Sequence, residues 1–181
     1  MSICTKKGDK GLTSTLSSNS KQIPKDNSLI ITIGAVDEAN SYIGVCLSLL
    51  DKKRYVIESE LLLEAQRTLF TIGASLAGAT GEISERKTKK YEKYIDKRES
   101  QLPVLANFIL PGGSMESSNL MYTRSLIRKA EREVVRLSRN KKIKPEVIKF
   151  LNRLSDAVFM MARYVNHKMN VEEEVWVGSE K

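Results

Sequence analysis

At 181 residues and 41% hydrophobic content, the chain is sized for one domain with one core. A single histidine, His167, and two distant cysteines, Cys4 and Cys46, argue against a histidine-based metal centre, a Ser-His-Asp triad or a disulfide framework within one chain. Much of the formal charge of +8 sits in the runs Lys52–Arg54, Arg86–Lys90 and Arg139–Lys144, which suit a solvated face or one that attracts a polyanion.

The first 30 or so residues are rich in Gly, Ser, Thr, Lys and Asn and contain Pro24, a composition that opposes a packed helix. They read as a mobile N-terminal segment without the apolar stretch of a secretory signal. Leu29–Ile33 is the first sustained apolar signal and the only strand-like one. From there a helical period takes over. Val36, Ala39, Ile43, Cys46 and Leu50 form the seam of a first helix, with Asp37 and Glu38 placed in its first turn. A second helix runs from about Glu58 to Ala77 on Leu62, Ala65, Leu69, Ile72 and Leu76, and glycines at 78 and 81 end it.

A third, highly charged segment from about Ser84 to Gln101 has only Tyr91, Tyr94, Ile95 and Leu102 on its apolar side and is expected at the periphery. Pro111, Gly112 and Gly113 then force a loop. The fourth helix, about Met115 to Arg139, uses Leu120, Thr123, Ile127, Ala130, Val134 and Leu137. The fifth, from Pro145 to about Asn170, uses Val147, Leu151, Leu154, Val158, Met161 and Val165. No apolar run approaches the ~20 residues that span a bilayer, and a cytoplasmic, non-membrane protein is expected. These segments predict a single all-α domain over 1–181: a bundle over 33–170 and a tail over 171–181.

Three features could carry chemistry. On the fourth helix Arg124, Arg128 and Glu131 share one side, with Arg132 four beyond Arg128 and Lys129 beside it. Guanidinium groups in a row can grip phosphates through paired hydrogen bonds, although a solvated face with Arg–Glu pairs gives the same spacing. On the fifth helix Asn152, Asp156, Phe159 and Arg163 recur at helical spacing. This stripe would line a cleft, unless Phe159 is ordinary core and Asp156 pairs with Arg153. Near the N-terminus, the stretch from Thr5 to Ser14 combines glycines, hydroxyls and lysines, whose backbone N–H groups and side chains could wrap an anion. It lacks the strand–loop–helix context of a P-loop. Phe108 stands before a sharp turn, as an anchor or as part of a ligand site. A basic helical nucleic-acid-binding protein is the competing reading of the charge.

Six stretches together are more specific. TKKGDKGLTS, GAVDEANSYIG from Gly34, QRTLFTIGASLA from Gln66, FILPGGS from Phe108, TRSLIRKAERE from Thr123 and FLNRLSDAVFMMAR from Phe150 follow one another as in the PduO-type ATP:cob(I)alamin adenosyltransferases, which the chain resembles over most of its length. The resemblance implies a five-helix up-and-down bundle, ferritin-like, with an extended N-terminal loop. It also implies a homotrimer with active sites between subunits, and no nucleic-acid or membrane partner. Thr5, Lys6, Lys7, Gly8, Thr13 and Ser14 would fold over the ATP triphosphate, with Lys25 adding a contact. Arg128, Lys129, Glu131, Arg132 and Asn152 would complete the ATP site. Asp37 would pair with Arg124 across the subunit boundary, and Phe108 and Phe159 would shape the corrinoid pocket. Lys6, Asp37, Arg124 and Arg128 are the residues the resemblance marks for catalysis. Mg2+ would accompany ATP, the corrinoid substrate would be cob(I)alamin, and a reductase and an adenosylcobalamin-dependent enzyme are implied as partners. Lys7, Met121 and Lys129 depart from the family's usual Thr, His and Arg.

Overall fold

The computed structural model describes residues 6, 8–16 and 22–178. Two short strands, β1 (Leu12–Thr13) and β2 (Ile23–Pro24), precede five helices: α1 (Ser28–Leu49), α2 (Val56–Leu76), α3 (Glu85–Glu99), α4 (Met115–Ser138) and α5 (Pro145–Lys168). The strands pair antiparallel, with Leu12 opposite Pro24 and Thr13 opposite Ile23.

The expected strand-like segment Leu29–Ile33 is instead part of α1, which begins earlier than its seam suggested. Asn27 caps it by accepting the Leu29 N–H at 2.9 Å. Thr32 is buried and donates its hydroxyl to the Ser28 carbonyl at 2.7 Å. The β-branched run is therefore helical through capping and packing, which override its weak intrinsic preference. Asp37 and Glu38 consequently stand in mid-helix, not in the first turn. By length and composition α1 could cross a membrane. Its buried residues Val36, Ala39, Ile43 and Cys46 are spent on the bundle core.

The helices pack in the spatial sequence α2, α1, α4, α5, α3, with α2 also meeting α5. The core is built from the expected seams: Ile43, Leu62, Leu69, Ile72, Leu120, Ile127, Leu151, Leu154 and Met161 are fully buried. Ser114 caps α4 by accepting the Ser117 N–H, and Pro145 opens α5 where a missing N–H costs nothing.

α3 stands at the end of this order, against α5, as its charged composition leads one to expect. Its outer face is charged, but Tyr91 and Tyr94 are buried. Tyr91 packs edge-on to Phe150 of α5, ring centroids 5.6 Å apart, and donates its hydroxyl to the Leu61 carbonyl of α2 at 2.9 Å. Beside it Glu58 Oε1 accepts from Tyr94 at 2.7 Å and from Arg98 Nη2 at 2.6 Å, while the Arg98 guanidinium lies 3.7 Å from the Tyr164 ring centroid. These buried polar contacts close the bundle between α2, α3 and α5.

Candidate nucleotide and corrinoid site

The arginine row of α4 opens onto a cleft between α4 and α5. Arg128, Glu131, Arg132, Val135, Arg136, Arg139 and Asn152 line a space of about 530 Å³. Asn152 on α5 donates its amide to Glu131 Oε1 at 3.2 Å, which ties the two walls together. Four guanidinium groups around one concavity form a site for a polyanion. Arg136 and Arg139 were not among the expected site residues. The four-residue recurrence 124, 128, 132, 136 was the available signal for the first, whereas Arg139 was submerged in its basic run.

Lys129 is not in this cleft. Its Nζ pairs with Glu38 Oε2 of α1 at 2.6 Å, so it serves the α1–α4 contact. The reason is helical geometry: one residue beyond Arg128 the side chain turns roughly 100° around the axis.

A second cleft, of about 510 Å³, lies along the same two helices. It is lined by Arg124, Arg153, Asp156, Phe159, Met160 and Arg163 together with the segment Pro103–Leu105 and Ile95 and Glu99 of α3. The Arg124 guanidinium sits 5.3 Å from the Phe159 ring centroid. Burial lowers the Arg124 pKa, nearby Arg128 lowers it further, and Asp156 opposes both. Asp156 itself pairs with Arg153 at 2.7 Å, as the plainer reading of that stripe held. Phe159 is half-buried at the cleft wall, so it is not simply core.

Other expected residues stand elsewhere in the single chain. Asp37 is exposed on α1 and forms no ion pair with Arg124. Phe108 is 78% exposed and does not line the Phe159 cleft. Thr5 and Lys7 lie outside the described residues. Lys6 is exposed with φ 55°, and Gly11, at φ 73°, takes a conformation that favours glycine. The Gly11 carbonyl accepts the Lys25 N–H at 2.9 Å, and a Cβ at Gly8 would lie 3.1 Å from Lys25 Nζ. Gly8 therefore admits the Lys25 ammonium close to the loop backbone. Thr13 is in β1 and Ser14 follows it, exposed. None of these hairpin residues lines either cleft.

Residues 3–165 match the family model for cobalamin adenosyltransferase. The chain belongs to the cobalamin adenosyltransferase family. It is 38% identical to the human corrinoid adenosyltransferase MMAB over 98% of this chain and 74% of that protein. It is 36% identical to the Bacillus subtilis corrinoid adenosyltransferase over 94% of this chain and 90% of that one. Among solved structures it is similar to a phenylalanine-to-alanine variant of a PduO-type ATP:corrinoid adenosyltransferase from Lactobacillus reuteri complexed with cobalamin and ATP. That similarity has a TM-score of 0.91 and 34% identity, covering 98% of this chain and all of that one. The competing nucleic-acid reading of this adenosyltransferase finds no support in these similarities, and the arginines that suggested it line a concave cleft instead of a flat basic face.

Proposed function

We propose that this adenosyltransferase transfers the 5′-deoxyadenosyl group of ATP to the cobalt of cob(I)alamin, forming adenosylcobalamin and releasing triphosphate. The observation that carries the reading is the pair of adjoining α4–α5 clefts, one walled by guanidinium groups and the other by Phe159 under Arg124.

In this reaction the electron pair of Co(I) forms the Co–C bond at C5′ as the C5′–O bond breaks and its electrons leave with triphosphate. The nucleophile belongs to the substrate, so the protein needs no activated Ser, Cys or His. Its own residues have three tasks. Arg128 and Arg132, with Glu131 and Asn152 fixing the opposite wall, hold the phosphates and meet the charge growing on the leaving group. Lys6, Gly8, Thr13, Ser14 and Lys25 bring a second, glycine-bearing cationic surface to the same phosphates, with Thr5 and Lys7 extending it. Phe159 and Phe108 exclude water, and Phe159 keeps a polar ligand from the lower face of the corrin. Orientation of C5′ over cobalt turns an encounter into one complex.

Magnesium would enter with the triphosphate. Among the described residues no cluster of three His, Cys, Asp or Glu side chains could cage a metal, and Glu131 is the one carboxylate lining the arginine cleft. That fits a cation held chiefly by substrate phosphates.

The hairpin and the clefts are complementary surfaces of one chain that do not meet within it. A homotrimer in which Asp37 of one protomer reaches Arg124 of the next would bring them together, and would give the partly desolvated Arg124 a carboxylate partner.

The test is an anaerobic assay with ATP, magnesium and chemically reduced cobalamin, following the spectral change as the cobalt–carbon bond forms. Stoichiometric triphosphate release with adenosylcobalamin is the expected result. Consumption of neither substrate would sink the proposal.

A further inference from the structure

Arg163 closes the α5 stripe yet has no task in the reaction above. It lies one helical turn beyond Phe159 and is only 5% exposed. Two of its three nitrogens are engaged. Nε donates to both carboxylate oxygens of Glu173 at 3.0 Å, and Nη2 donates to Glu173 Oε2 and to the Pro103 carbonyl, each at 3.0 Å. A charge buried this deeply is strongly destabilising unless its partner stays in place. The pair therefore holds two chain segments against α5.

The first is Pro103–Leu105, which walls the Phe159 cleft. The second is the extended C-terminal segment that begins at Glu173. The Glu174 carbonyl accepts the Leu110 N–H at 2.8 Å, Ile109 bridges antiparallel to Val175, and the Trp176 N–H donates to the Phe108 carbonyl at 2.8 Å. Phe108 thus sits on one strand of a short ribbon whose other strand is anchored by Glu173. Its own side chain is largely exposed and supplies little packing to hold it.

We infer that Arg163 and Glu173 form a latch that positions Phe108, and with it the aromatic lip of the corrinoid pocket, relative to the Phe159 cleft. Both act here as positioning residues, through the segments they hold, although Arg163 also borders the Phe159 cleft. The inference rests on the proposed role of Phe108 at the corrinoid. It assigns a function to the chain beyond α5.

Trp176, the single tryptophan, lies on the latched strand and reports on it directly. The full-length protein and its Glu173→Gln and Glu173→Asp variants are compared by Trp176 anisotropy without substrates, then by steady-state kinetics. Glu173→Gln lowers the anisotropy and raises the cobalamin KM by about tenfold or more, as expected for a displaced contact surface, while the ATP KM stays within about twofold. Glu173→Asp, which keeps the carboxylate, recovers part of both changes. Arg163→Lys, which keeps charge but cannot reach both acceptors as a fork, behaves like Glu173→Gln. Unchanged Trp176 anisotropy in Glu173→Gln overturns the latch. So does a loosened Trp176 with an unchanged cobalamin KM, and so does an equal rise of both KM values, which marks general loosening. A wild-type protein that consumes neither substrate defeats the proposed function instead, and the anisotropy comparison still reads the latch.

Discussion

Arg128 and Lys129 are neighbours in sequence and carry the same charge, yet only the first faces the α4–α5 cleft, while the second is committed to Glu38. Replacement of Arg128 by alanine should therefore weaken ATP binding by about 1.5–3 kcal/mol, the usual worth of a charged hydrogen bond. Calorimetric titration of ATP into the apoprotein checks this, and an unchanged Kd would remove Arg128 from the site. Phe159 belongs to the other cleft, where its ring lies beneath Arg124. Phe159→Ala should lower turnover with Co(II) substrate under reducing conditions much more than it lowers ATP affinity. A parallel loss of both would assign Phe159 to the fold. The α4 and α5 stripes were visible in the sequence because helical spacing alone puts their members on one side. Arg163 was visible too, but its partner Glu173 was not, since an ion pair between a helix and an irregular tail follows no period.

At the scale of elements, periodicity located α1, α2, α4 and α5 because each buries an apolar seam of at least three turns, and α3 by a much shorter one. It erred where packing decides: the start of α1 is set by Asn27 and by Thr32 buried against α4. α3 joins the core through two tyrosines on an otherwise charged helix. Those tyrosines carry a pH signature. Burial pushes the Tyr91 and Tyr94 hydroxyls far above their usual value near 10, and Glu64 and Glu58 respectively push them in the same direction. The folded state keeps protons that the unfolded chain releases. The associated stability is thus fully present below about pH 10 and is lost as pH rises beyond it. Tyr91→Phe removes one such group together with its bond to the Leu61 carbonyl. It should cost about 0.5–1.5 kcal/mol near neutral pH. The difference from wild type should shrink or reverse above about pH 10, where the wild-type hydroxyl becomes a liability. Urea unfolding on both sides of that pH checks the crossing; a constant difference would contradict it.

At the scale of the whole molecule, the two clefts and the N-terminal hairpin are surfaces awaiting each other. If neighbouring protomers join them through Asp37 and Arg124, Asp37→Asn should shift the trimer toward smaller species and reduce adenosylation together. Sedimentation and the anaerobic assay read the two effects, and an intact, fully active trimer would refute the pairing. By itself, the sequence determined the bundle, the family and the helix faces that bear arginine and phenylalanine, because these depend on local spacing and on motif order along the chain. Only the tertiary structure decided that Lys129 turns away to Glu38, that α3 reaches the core through Tyr91 and Tyr94, and that the Phe108 strand is pinned through the tail by Arg163. Those outcomes hinge on which buried charge or hydroxyl finds a partner across distant segments, a condition that no residue's immediate neighbours in the chain can fix.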